Sequence, residues 1–173
     1  MGGWLDQFII SGNIVMFHLS NVGIFLVQNG GEIIVSPVTG AKTDQIRLYI
    51  LGTCMGALLL QRRILPLHGS AVAIDGKAYI ITGDSGAGKS TLAAAFLNRG
   101  YKLLSDDVIA ITFNNEGIPM IIPAYPQQKL WQESIQEFGM NTREYRSIYG
   151  RETKYCIPLT FQFSNDQIPI SGI

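Results

Sequence analysis

Eight consecutive residues, Gly83-Asp84-Ser85-Gly86-Ala87-Gly88-Lys89-Ser90, have the types and spacing to hold a chain of phosphates. They fit the pattern G-x-x-x-x-G-K-[ST]. Gly83, Gly86 and Gly88 let the backbone turn tightly and bring successive N–H groups onto phosphate oxygens. Lys89 supplies a point charge for the β- and γ-phosphates, and the Ser90 hydroxyl offers Mg²⁺ a hard oxygen. Thr91 completes the run as the chain turns into its next element. Downstream stand two adjacent carboxylates, Asp106 and Asp107. Such a pair can divide the work of phosphoryl transfer, one facing Mg²⁺ and one facing an incoming hydroxyl. We assign Asp106 to the acceptor and Asp107, with Ser90, to the metal. Strand side chains alternate, so only one aspartate lies on a given face and the two labels can exchange. His68, ahead of Gly69, is the remaining candidate, because it falls on the strand next to the loop strand.

These groups need elements to hold them. Ala78 to Thr82 is short, apolar and β-rich, as a buried strand should be, and Thr91 to Arg99 is Ala- and Leu-rich before a stop at Gly100. Strand, glycine loop and helix is the context the motif requires. Leu65 to Ile74 reads as the neighbouring strand, turned by Asp75-Gly76-Lys77. Tyr101 to Ser105 is the strand after the loop helix, which sets Asp106-Asp107 at its carboxyl end, the edge that faces the ligand crevice of an open α/β sheet. Val108 to Phe113 and Ile118 to Pro123 continue extended, and Leu130 to Phe138 looks helical. Arg143 to Lys154 reads as a mobile polar and basic loop before β character returns over Tyr155 to Phe163.

The N-terminal part is β-rich. Val22 to Val27 and Glu32 to Val35 flank Asn29-Gly30-Gly31, a hairpin signal. Gln45 to Arg63 is helical and carries apolar residues on every face, the mark of a fully buried helix, and its apolar run is shorter than the ~20 residues a bilayer demands. The chain has 173 residues, 47% hydrophobic and 15% charged, with a formal net charge of +0. That balance suits a well-packed α/β domain and gives no electrostatic case for nucleic acid or anionic membrane. Cys54 and Cys156 lie in apolar surroundings without metal-ligand spacing, so they read as reduced thiols of a cytoplasmic protein. The apolar end, Ile168 to Ile173, looks like a chain cut inside its fold. The expectation is a single domain over 1–173, with an N-terminal hairpin and helix in 1–64 and a catalytic core in 65–173. Apolar surface left uncovered by the cut would invite a homo-oligomer.

Four blocks together carry a resemblance: Leu67-His68-Gly69-Ser70-Ala71-Val72, Ile81 to Thr91, Arg99-Gly100-Tyr101 and Leu104-Ser105-Asp106-Asp107. In order and spacing they resemble the catalytic domain of HPr kinase/phosphorylase. The resemblance implies an α/β P-loop domain related to phosphoenolpyruvate carboxykinase and ATP-dependent phosphorylation of a protein serine. It further implies nucleotide binding by Gly83, Asp84, Ser85, Gly86, Ala87, Gly88, Lys89, Ser90 and Thr91, with ATP and Mg²⁺ as cofactors. Lys89 and Asp106 then act in catalysis beside His68. The family's downstream Glu-x-Asn-Leu-Arg-Gly signature is not found, so the resemblance extends to the kinase half of the activity only. Pro123 to Trp131 is similar instead to compact HPr-kinase-like proteins of lasso-peptide biosynthesis, which implies a precursor peptide phosphorylated at its C-terminal serine. The expected partner is thus a peptide or small protein bearing an acceptor serine. Two other readings remain on the same residues: a small-molecule kinase, and a regulator that binds ATP without transfer.

Overall fold

A computed structural model of the chain describes residues 5–173. Where the sequence reads as a single domain, contacts divide the chain into two compact units, Met1–Ile64 and Leu65–Ile173. Each has its own core.

In the first unit, β1 (Leu5–Ser11), β2 (Ile14–Leu19), β3 (Gly23–Gln28) and β4 (Glu32–Pro37) form an antiparallel meander. Its inner face alternates strictly: Val15, Phe17 and Leu19 on β2 and Phe25 and Val27 on β3 are buried. The Phe17 and Phe25 rings stack at 4.8 Å. Against this face lies a helix in three parts, α1 (Thr43–Tyr49), a π-helical turn at Ile50–Cys54, and α2 (Met55–Gln61). Its end is tied to the β3–β4 turn through Gln61, which accepts from Gly30 N at 2.8 Å and donates to Val27 O at 3.0 Å.

The helix is not fully buried. Only Cys54 and Leu58 are, while Leu48, Leu51 and Leu60 are exposed. A helix lying on one sheet can bury one stripe, and the remaining apolar residues face outward. No helix among the described residues is long and apolar enough to cross a membrane.

Burial pushes the Cys54 thiol up to about 11, from 9.0, which lowers its thiolate fraction roughly a hundredfold. Iodoacetamide at pH 8 should therefore leave Cys54 unmodified in the folded protein and label it once denaturant opens the first unit. Mass mapping of the labelled peptide checks this, and native labelling at the rate of a free thiol would contradict the packing.

The second unit is built on β5 (Leu65–Ile74), β6 (Lys77–Ile81), β7 (Lys102–Phe113), β8 (Pro119–Ile122) and β12 (Ile168–Gly172), closed into a barrel in the order β12-β6-β5-β7-β8. All of its pairs are antiparallel except β12 with β6. This corrects the open-sheet expectation. The chain remains a mix of helix and strand, but β6, β5 and β7 are joined by antiparallel pairing, so no single carboxyl edge exists.

Ala71, Ala78, Ile80, Leu104, Ile109 and Ile121 fill the barrel. Val72 and Leu103 point the other way, onto Ala93, Ala94 and Leu97 of α3 (Lys89–Asn98) and Leu130. Burial on both faces explains why Leu103 to Asp106 read as continuously apolar or buried rather than alternating.

A second sheet, β10-β11-β9, comprises β9 (Gln127–Trp131), β10 (Arg146–Ile148) and β11 (Arg151–Pro158). Two expectations change here. Leu130 and Trp131 finish a strand, and the helix is the shorter α4 (Gln132–Glu137). The basic stretch Arg143 to Lys154 is no loose loop: it forms the β10–β11 hairpin, with Lys154 paired to Trp131.

Candidate functional site

The glycine loop joins β6 to α3, as the motif requires, and residues 82–88 are exposed. Gly83, Gly86 and Gly88 take φ of 146°, 89° and 84°, conformations open to glycine and costly for other residues. Gly88 is the N-cap of α3, so the free N–H groups of a ten-residue helix open beside the loop. Ala87 N donates to Asp84 O at 3.1 Å and closes the turn. Lys89 Nζ donates to Gly83 O and Asp84 O, both at 2.8 Å. Thr91 Oγ1 meets Ser134 Oγ of α4 at 2.8 Å, away from the loop backbone.

Asp106 and Asp107 do not end a strand. They lie in the middle of β7, because Leu65 to His68 of β5 and the strand β8 pair with the segment beyond them. The β5–β7 register sets Ser70 opposite Asp106, Gly69 opposite Asp107 and His68 opposite Val108. Gly69 is required for this approach: a Cβ there would stand 2.4 Å from Ile81 O. Register thus brings His68 to the aspartates, although 38 residues of chain separate them.

The two carboxylates meet different surroundings. Asp106 is 5% exposed. Its Oδ1 accepts from Ser70 Oγ at 2.6 Å and Ser90 Oγ at 3.1 Å, and its Oδ2 accepts from Lys129 N at 2.7 Å. Burial pushes its carboxyl above the ordinary value, the three hydrogen bonds pull it back only in part, and the neighbouring Asp107 charge adds to the rise. Among the described residues no cation forms an ion pair with it, so a cation beside Ser90 would relieve a buried, under-compensated anion.

Asp107 has its backbone in the left-handed region, φ 79°, a strained conformation for a non-glycine residue. Ser105 Oγ donating to Val108 O at 2.5 Å braces the kink, and Asp107 O lies 3.0 Å from His68 Nδ1. The turn aims the carboxylate into the cleft. Burial works to raise Asp107, but Lys129 outweighs it through its charge and a 2.5 Å hydrogen bond to Oδ2, aided by His68 and Lys154, so the carboxyl falls below its ordinary value. His68 Nδ1 is 3.6 Å from Asp107 Oδ1.

Sequence reasoning missed the strand that assembles these pieces. On β9, the Gln128 side chain, 2% exposed, donates to Ser90 O at 2.8 Å, and the next residue, Lys129, bonds both aspartates. Pro123 to Trp131 carries a resemblance, but its local pattern, prolines followed by a helical run, marks neither a strand nor these contacts. Ser70 lay inside a motif block without a role of its own.

Around these groups is a cleft of about 240 Å³, lined by the glycine loop, His68, Asp107, Trp131, Arg151 and Lys154. Pockets that enclose a whole drug-sized ligand run to roughly 300–1,000 Å³. The space therefore suits a phosphate group and an acceptor side chain, with the remainder of each ligand outside. An oxygen set of one hydroxyl and one carboxylate fits Mg²⁺, which takes one or two carboxylates and completes its shell with phosphate and water.

Comparison with known proteins agrees with the motifs. The family model of the HPr serine kinase C-terminal domain matches residues 61–153. HPr kinase/phosphorylase of Bordetella avium (strain 197N) is 31% identical over 127 residues, 71% of this chain and 37% of the relative. That of Lacticaseibacillus casei (strain BL23) is 38% identical over 81 residues, 46% of this chain and 25% of the relative. The chain thus spans well under half the length of these curated relatives. The solved HPr(Ser) kinase/phosphatase of Coxiella burnetii aligns with 61% of this chain and 55% of its own at a TM-score of 0.41 and 21% identity.

Proposed function

Since the chain belongs to the HPr serine kinase C-terminal domain family, we propose that it is a Mg²⁺- and ATP-dependent kinase acting on a serine of a peptide or small protein. The observation that carries this reading is the split between the aspartates: one buried against Ser90 of the glycine loop, the other turned into the same cleft. Binding alone has no need of a second, strained carboxylate facing an acceptor.

The roles follow from position. Backbone N–H groups of Gly86 to Ser90 and the α3 N-terminus hold the phosphates. Lys89 leaves the carbonyls of Gly83 and Asp84 to pair with the β- and γ-phosphates. Ser90 and Asp106 are the residues that would hold Mg²⁺, which when bound neutralises charge between those phosphates. This exchanges the two labels of the sequence reading, and the hydrogen bonds favour the exchange. Asp107 orients the acceptor hydroxyl and takes its proton late, since the attacking oxygen bonds little in a loose transition state. Ionised well into acid, Asp107 is suited to aligning the hydroxyl more than to removing its proton early. His68 and Lys129 fix the carboxylate's direction.

The test is incubation with ATP, Mg²⁺ and a panel of acceptors, read by mass for the gain of one phosphoryl group. The panel holds HPr, serine peptides, a lasso-peptide precursor ending in serine, and free hydroxyl metabolites. Modification of peptide or protein serine is expected. Turnover with metabolites only would move the reading to a small-molecule kinase, and ATP binding without transfer to any acceptor would move it to a regulator.

A further inference from the structure

The lining of the cleft carries two cations that the transfer chemistry does not use. Arg151 and Lys154 of β11 both line it. Among the described residues neither side chain makes an ion pair or a hydrogen bond, whereas the Lys129 ammonium is engaged by Asp107. Glu133 lines the same cleft and pairs with neither. Lys154 is opposite Trp131 in the β9–β11 register, and its ammonium stands 5.4 Å from the indole centroid. The ring holds the ammonium in place without neutralising it. Burial and then the neighbouring Arg151 charge disfavour the charged form of Lys154, and the Asp107 and Asp106 charges offset this only in part. The half-buried Lys154 and the exposed Arg151, neither held in an ion pair, together give the concave cleft a cationic lining that suits an anion.

We propose that Trp131, Arg151 and Lys154 form the acceptor subsite, and that it takes a carboxylate carried by the acceptor segment close to its serine. This rests on the kinase reading of the cleft. The anion belongs to the acceptor because the nucleotide's phosphates already have the loop N–H groups, the α3 N-terminus and Lys89. Lys154 also acts electrostatically on Asp107, the carboxylate assigned to the acceptor hydroxyl, which puts the cation on that side of the cleft. A carboxylate matches the guanidinium fork and is the anion a peptide itself carries. Trp131, 36% exposed, gives the adjoining residue an apolar surface to lie on. A peptide with a basic residue beside its serine would meet like charge and be rejected.

Peptide carboxylates come from an acidic side chain or from the chain terminus, and one peptide series separates them. Its members share a sequence and differ only near the serine: a terminal serine with free carboxylate, the same peptide amidated, the amide with aspartate next to the serine, and the amide with lysine there. Binding is read by Trp131 fluorescence in a Trp4→Phe background and by calorimetry, without ATP, so it does not depend on transfer. The carboxylate peptides should bind roughly tenfold or more tightly than the plain amide, and the lysine peptide more weakly still. Preference for the free terminus over the aspartate peptide, or the reverse, identifies the source. In Lys154→Gln and Arg151→Gln the carboxylate and amide peptides should bind alike. Equal binding of all four peptides by the unaltered protein would overturn the subsite. So would variants that keep the carboxylate preference but weaken ATP binding, which would give both cations to the nucleotide. Failure of every peptide to be phosphorylated would count against the kinase reading, while the binding series would still decide the subsite.

Discussion

Lys89→Ala is expected to lower phosphoryl transfer by roughly 10²–10³-fold or below detection, the scale for losing one preorganised charge-stabilising donor, and to weaken ATP binding. The ammonium is the one cation of the loop, and its bonds to Gly83 O and Asp84 O are exposed. Those bonds add little to folding, because water can replace them at such a site. The thermal unfolding midpoint should therefore stay within the range of ordinary surface substitutions while transfer collapses. Single-turnover transfer from labelled ATP, equilibrium nucleotide binding and a melting curve on the same preparation separate the two effects. Normal transfer by Lys89→Ala would remove the glycine loop from the mechanism.

The aspartates should fail in different ways. Asp107→Asn should keep ATP binding and its Mg²⁺ requirement but transfer roughly 10²–10⁴-fold more slowly, the usual scale for a lost general base or orienting carboxylate. The change also strips Lys129 of its partner, a half-buried charge that is costly unpaired. Adding Lys129→Met should therefore recover stability without recovering transfer, and that double variant distinguishes lost chemistry from lost folding. Asp106→Asn should instead raise the Mg²⁺ concentration needed for half-maximal rate, because the oxygen beside Ser90 loses its charge. A Mg²⁺ titration of transfer in both variants decides between the labels; a raised requirement in Asp107→Asn alone would restore the assignment read from sequence. The sign with pH follows from Asp107. Its folded value lies below the ordinary 3.8, so its stabilising charge is complete above that range. It is lost only as pH falls through the folded value. Asp107 should accordingly cause no loss of transfer as pH falls from neutrality, and the first loss on acidification should come from Asp106, whose carboxyl lies above its ordinary value, and should show as a rising Mg²⁺ requirement.

Local chemistry sufficed for the parts of this protein in which a residue's neighbours along the chain determine its structure. Gly83 to Ser90 between an apolar strand and an Ala- and Leu-rich helix predicts the loop, because positive φ at glycines and a helix N-terminus are matters of a few consecutive residues. The Asn29-Gly30-Gly31 hairpin and the β5–β6 turn at Asp75-Gly76 are legible for the same reason. His68, Asp106 and Asp107 could be nominated from their types and from the blocks they sit in. Their roles could not. Which aspartate is buried depends on Ser70 arriving opposite Asp106 across the β5–β7 pairing and on Lys129 N arriving from β9, both long-range contacts that no spacing encodes. Alternation could not choose between them either, since Leu103 to Asp106 is buried on both faces and Asp107, though paired within β7, takes a positive φ. The closing of the sheet into a barrel likewise comes from β12 joining β6 to β8, some 50 residues beyond the segment that reads as an open sheet. Arg143 to Lys154 shows the same limit. Its charges read as a mobile polar stretch, and only the β10–β11 pairing, with Lys154 joined to β9, makes of it strands that set Arg151 and Lys154 in the cleft lining. Charge tells what a side chain costs to bury; the register of a partner strand decides whether it faces water or a ligand.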